Sequence, residues 1–206
     1  MKSIRSCFAA IFFIGHLSAA DLQPVLIAPG PVIVAESFDA AALSDTWHIR
    51  NGEWVIKDGI LTGKKTATDK HPAKLELMRP WQDGVLQFAF QLSERGGMDL
   101  DLYQGETRVA VLRMRAESLS FGSYPKTGPS KATILSEAEG GFAPGVWHHV
   151  IIERKGTTFH IQRDHGTALQ ATAPDLAPGF TSGLFILRGE PGATVQMDDV
   201  KLTGAK

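Results

Sequence analysis

From Gly84 to Leu92 the chain sets an apolar side chain at every second position. Leu86, Phe88, Phe90 and Leu92 share one face, and Val85, Gln87, Ala89 and Gln91 share the other. A period of two belongs to a pleated strand, so this run predicts a β-strand with one face in a core. Met98–Tyr103 repeats the pattern, with Met98, Leu100 and Leu102 set against Asp99, Asp101 and Tyr103. Similar runs occupy Val32–Phe38, Glu53–Lys57, Ile60–Gly63, Arg108–Arg115, Glu117–Tyr124, Ala132–Leu135, Val146–Arg154, Thr157–Arg163, Gly183–Leu187 and Thr194–Leu202. Asp58-Gly59 predicts a two-residue hairpin, because both positions tolerate positive φ. Loops such as Tyr124–Ser130 (YPKTGPS) and Ala173–Phe180 (APDLAPGF) are rich in Gly and Pro. Only Ala40–Asp45 invites a helix, of barely two turns. So many short strands with no helical crossover predict an all-β, antiparallel two-sheet sandwich.

The first 20 residues read as a signal peptide. Lys2 and Arg5 precede an apolar run of 11 residues, Cys7–Leu17, and Ser18-Ala19-Ala20 offers a cleavage site before Asp21. The run falls short of the ~20 residues that span a bilayer. The expectation is an exported protein, periplasmic or extracellular, with no membrane contact after cleavage. Residues 21–34 read as a linker and 35–206 as one domain. Loss of residues 1–20 removes Lys2, Arg5 and the single cysteine, leaving 19 basic against 22 acidic residues, a formal charge of −3. Without cysteine there is no disulfide, thiolate metal site or thiol nucleophile, and the domain rests on its core alone. The absence of a basic run argues against a nucleic-acid partner.

Four segments carry a family resemblance. They are Phe38…Trp47…Gly52-Glu53-Trp54-Val55…Asp58-Gly59-Ile60-Leu61; Asp69-Lys70-His71; Gly145-Val146-Trp147-His148-His149-Val150; and Met197-Asp198-Asp199-Val200-Lys201-Leu202. In this order they resemble the concanavalin A-like jelly rolls of exported bacterial proteins, particularly the 3-keto-disaccharide hydrolase-like family and its laminin G-like relatives. The resemblance spans roughly Ala35 to Leu202. It implies a jelly-roll sandwich that engages a saccharide or glycoconjugate, and leaves open glycoside hydrolysis, non-catalytic binding, or a cell-envelope scaffold. Ser93–Asp99 stands where larger members carry an Asn-Ser-Gly-type turn, and their Tyr-Glu-containing strand has no counterpart.

Asp99 and Asp101 are the sharpest candidates for catalysis. Two residues apart on a strand, they face one way at ~6–7 Å, within the span of paired glycosidase carboxylates. The same spacing suits a charged outer sheet face, and Asp-Leu-Asp-Leu-Tyr does not match the Glu-x-Asp-x-Glu pattern of jelly-roll glucanases. Arg113 and Arg115 on the next strand offer planar forks for diol oxygens, or for salt bridges to Asp99 or Asp101. His71, in a loop before Pro72, is a candidate general base at neutral pH or a plain surface turn. Gln87 and Gln91 are candidate hydrogen-bond partners of a sugar. Trp81, after Pro80, is a candidate exposed stacking platform, whereas Trp54 and Trp147 read as core.

His148 and His149 are adjacent, so they point to opposite faces and cannot chelate one ion together. His160 on the following strand can approach one of them, but no third ligand completes a zinc site. No cofactor is expected. Glu36, Asp198 and Asp199 could gather at neighbouring first and last strands, where a structural Ca²⁺ competes with simple edge charge.

Overall fold

The computed structural model describes residues 22–206 apart from 67, 69, 126–130, 165, 177 and 178. The expected signal peptide, Asp69 and most of the Tyr124–Ser130 loop therefore lie outside the described residues. Fifteen strands in two antiparallel sheets form a sandwich, and no helix occurs among the described residues. An eight-stranded sheet contains β1 (Pro29–Glu36), β3 (Glu53–Lys57), β4 (Ile60–Lys64), β6 (Gly84–Leu92), β11 (Trp147–Lys155), β12 (Thr158–Arg163), β13 (Leu169–Thr172) and β15 (Thr194–Ala205). Its order is β13-β12-β11-β6-β15-β4-β3, with β1 also on β15. The seven-stranded sheet contains β2 (Trp47–Asn51), β5 (Lys74–Leu77), β7 (Gly96–Gln104), β8 (Thr107–Met114), β9 (Ser118–Ser123), β10 (Thr133–Glu139) and β14 (Ser182–Gly189). It runs β10-β9-β8-β7-β14-β5-β2, with β7 at its centre.

The alternating runs become strands because each has one apolar face to bury. Leu86, Phe88 and Phe90 of β6 and Met98, Leu100 and Leu102 of β7 all point into one shared core. Phe88 meets Phe185 of β14 edge-on, with centroids 5.3 Å apart, and Phe121 of β9 meets Phe159 of β12 at 4.6 Å. These aromatic pairs bridge the sheets, and each adds to the area it removes from water. Asp58 (φ 53°) and Gly59 (φ 75°) form the expected hairpin turn between β3 and β4.

Three departures are informative. Ala40–Asp45 forms bends and turns instead of a helix, and the Ser44 carbonyl accepts from Trp47 N–H. β2, β5 and β13 were not expected from the pattern; each has four or five residues, and β2 and β13 are sheet edges. Trp147 is half-buried on the outer face of β11, because Val150 and Ile152 set the inward phase and carry His148 and Arg154 inward with them. Trp54 is buried as expected.

Phe185 is fully buried and also touches Trp47 at 6.2 Å. Replacement by Ala should destabilise the domain by about 3–5 kcal/mol, from lost transfer energy plus an unfilled cavity. A urea melt of Phe185→Ala against the parent chain measures it.

Candidate functional site

As the alternation requires, Asp99, Asp101 and Tyr103 leave β7 on the face opposite Leu100 and Leu102. Register places Asp99 between Arg113 of β8 and Ile186 of β14, and Asp101 between Val111 and Leu184. Val111, Leu184 and Ile186 are buried, so both carboxylates stand in aliphatic surroundings on an outer face. Asp99 is 3% exposed and Asp101 0%. Charges so enclosed must be paired.

Arginines from three places supply the pairing. Asp99 Oδ1 accepts from Arg115 Nη2 at 2.5 Å and Oδ2 from Arg188 Nε at 2.7 Å. Asp101 Oδ2 accepts from Arg108 Nη1 at 3.1 Å, while its buried Oδ1 meets no donor among the described residues. Burial pushes the Asp101 carboxyl above its ordinary range, and the hydrogen bond and charge of Arg108 only partly offset this. Arg108 stacks on the Tyr124 ring at 4.0 Å, and Arg113 lies beside the Tyr124 side chain. Burial, then the Asp101 charge, push the Tyr103 and Tyr124 phenols upward. On β5, Glu76 accepts from Ser182 Oγ at 2.8 Å and from Arg50 at 2.6 Å. The side chains of Arg108, Arg115 and Arg188 remain 31%, 34% and 41% exposed. Solvent on this face therefore meets guanidinium groups, with the carboxylates beneath them. Such a surface donates hydrogen bonds, and the two β7 carboxylates lie beneath it.

The other sequence candidates are dispersed. His71 is exposed, and its backbone carbonyl accepts from Asn51 Nδ2 at 3.0 Å, three residues before β5 and so beyond β14 from Asp99. Gln87 and Gln91 belong to β6, hence to the eight-stranded sheet and the opposite side of the sandwich; Gln91 donates to the Gly145 carbonyl at 2.9 Å. Trp81 is not an exposed platform: it is 4% exposed and packs on Phe180 at 5.0 Å, with a backbone bridge between the two residues. His148 points inward against Phe142 and His149 outward, and both reach Asp164, at 3.2 and 3.8 Å. Burial would raise the Asp164 carboxyl, but the two histidines overcome it and hold the group well below the carboxylate range. His160 faces Glu153 instead of His148 or His149, at 3.0 Å.

The first and last strands are neighbours, but Glu36 spends its oxygens on Phe38 N–H and Ser44 Oγ, and Asp198 accepts from Asp199 N–H. Among the described residues no three His, Cys, Asp or Glu side chains gather as metal ligands.

One feature escaped the sequence. Glu153 lies on the outer face of β11 yet is 0% exposed, because the stretch after Leu22 crosses above it. Its Oε2 accepts from the N–H groups of Leu26 (2.6 Å) and Ile27 (3.1 Å), and its Oε1 from His160 (3.0 Å) and Gln162 (3.2 Å). Gln162 also donates to the Gln23 carbonyl at 2.7 Å. Desolvation raises the Glu153 carboxyl, but these donors outweigh it and the net shift is downward. The expected linker is thus in part a strap, walling a groove of about 580 Å³ floored by Gln87, His149, Ile151 and Lys201. In sequence Glu153 is one outward charge in an alternating strand, and nothing local marks it.

No protein-family model matches the chain, and no curated protein matches it by sequence. Solved structures do match in fold. A carbohydrate-binding module, CBM66 from Bacillus subtilis, superposes at TM-score 0.59 and 16% identity over 77% of this chain and 96% of its own. A Bacillus licheniformis β-glucanase matches at TM-score 0.66 and 9% identity, over 86% and 99%. SCLam, a non-specific endo-β-1,3(4)-glucanase of family GH16, matches at 0.63 and 13%, over 89% and 95%. The fold is the jelly-roll sandwich shared by these proteins.

Two outcomes follow from the buried acids. Between the ordinary aspartate value near ~3.9 and its higher folded-state value, Asp101 binds a proton that the unfolded chain does not. Its ionisation therefore costs stability as pH rises through that window. Asp101→Asn should flatten this slope in urea melts across pH, whereas Asp99→Asn, which weakens two charge-assisted hydrogen bonds from the part-exposed Arg115 and Arg188, should cost about 2 kcal/mol at neutral pH. Glu153 has the opposite sign: its contribution is complete above ~4.3 and lost as pH falls through its lower folded value. Glu153→Gln should weaken docking of the strap by about 2 kcal/mol, read as faster amide exchange at Leu26 and Ile27.

Proposed function

We propose that this chain is an exported, non-catalytic saccharide-binding domain whose ligand lies on the outer face of the seven-stranded sheet. One observation carries the reading: both carboxylates of β7 are tied to arginines and shut off from solvent, so the face presents arginine forks and tyrosines. Planar guanidinium donors suit vicinal hydroxyls and carboxylates alike. β1 pairs within the other sheet and leaves this face open on its side. The carbohydrate-binding module and glucanases of like fold, and the resemblance to 3-keto-disaccharide hydrolase-like proteins, support a saccharide as partner.

Glycosidic cleavage needs one protonated acid and one ionised carboxylate in reach of the scissile bond. Asp101 has the raised pKa of the former, but Asp99 has both oxygens occupied. A glycan array combined with a hydrolysis screen, including 3-keto-glycosides, separates the cases. We expect affinity without turnover, retained in Asp101→Asn. Turnover that disappears in Asp101→Asn would replace the binding reading with a hydrolytic one, and silence in both assays would end the saccharide reading.

A further inference from the structure

The charges on the central strands do not balance. Arg108, Arg113, Arg115 and Arg188 face two carboxylates, Asp99 and Asp101, an excess of two positive charges in a chain whose overall formal charge is −1. Arg113 is the unmatched member. It sits directly across from Asp99 in register, yet Asp99 has given Oδ1 to Arg115 and Oδ2 to Arg188. Among the described residues no carboxylate lies within ion-pairing distance of Arg113, and its partner is the neutral Tyr124 side chain. The next acid outward, Glu137 on β10, stands across β9 from Arg113, two strand spacings or about 9.6 Å away. On the other flank Glu76 is already neutralised by Arg50. Residues 126–130, next in sequence to Tyr124, read Lys-Thr-Gly-Pro-Ser and bring no acid.

Arg108 and Arg113 meet at one tyrosine, the first over its ring at 4.0 Å and the second beside its side chain. Two guanidinium groups held by a shared, partly buried phenol are preorganised donors, and a planar fork matches a carboxylate or sulfate with paired, charge-assisted hydrogen bonds. The aliphatic floor of Val111, Leu184 and Ile186 lowers the local polarity beneath them and strengthens such a contact. We infer that the ligand of this face is an anionic saccharide, a chain bearing carboxylate or sulfate groups, with Arg113 and Arg108 as the anion-binding pair. This rests on the saccharide-binding reading above and narrows its ligand class.

The test compares matched polysaccharides in solution with the whole chain. Uronate polymers are set against their carboxyl-reduced forms, and sulfated galactans against their desulfated forms, by titration calorimetry at low and raised salt. At least one acidic form should bind more tightly than its neutral counterpart and weaken as salt rises; which pair responds tells carboxylate from sulfate. Arg113→Gln should lower affinity for that acidic form by roughly tenfold while leaving the urea midpoint and any residual binding of the neutral form unchanged. Arg113→Lys, which keeps the charge and loses the fork, should recover only part of it. If neutral forms bind as well as or better than acidic ones, the inference is overturned while the saccharide reading stands. If no polysaccharide of either kind binds, both fall.

Discussion

The edge-on contact of Phe88 with Phe185 joins the middle of one sheet to the middle of the other, and the rest of the molecule takes its orientation from that packing. A strand that slips by one residue turns every side chain to the opposite face. With Phe88, Phe90, Leu100 and Leu102 committed to the space between the sheets, Asp99 and Asp101 have only the outer face of β7 to occupy. Their neighbours there, Val111, Leu184 and Ile186, are as buried as core residues, so the outer face of the central strands has an apolar lining of its own. The arginine lattice is the answer to that lining: it covers two acids that water does not reach.

The long strands were legible because alternation over six to nine residues is hard to satisfy in any other conformation. Asp58-Gly59 was legible because few other dipeptides accept two positive φ angles. β5 and β13 were not, since four residues with two inward positions give no period to detect. Trp81 and Trp147 exchanged roles for separate reasons. The phase of β11 is set by Val150 and Ile152, and carried back it sends Trp147 outward; the burial of Trp81 depends on Phe180, which no local pattern reveals. The face of the aspartate pair followed from spacing, and so did Arg115 as a partner of Asp99, but Arg188, 89 residues away, and Arg108 did not. Gln87 and Gln91 had a face but no sheet, because the neighbours of β6 are β11 and β15, far along the chain.

Hydrolysing and binding jelly rolls share one frame, so what separates them is the state of a few side chains on the sheet face. Here the two carboxylates of β7 are buried and engaged by arginines. Removing Arg108 would leave the Asp101 charge buried without its partner, which ties the arginine lattice to stability.

β15 holds β6 on one side along its length, and on the other exchanges β4 for β1 at the bulge around Asp199, whose φ is 49°. Beyond the bulge, β1 and β15 run antiparallel until Pro29 faces Ala205. Tension drawn through these two ends would peel the pair from one side, opening hydrogen bonds in succession like a zipper instead of loading them together in shear. The seam between the first and last strands would thus yield one hydrogen bond at a time, and the Glu153 carboxylate, clasping the strap that leads into β1, is the catch beside it.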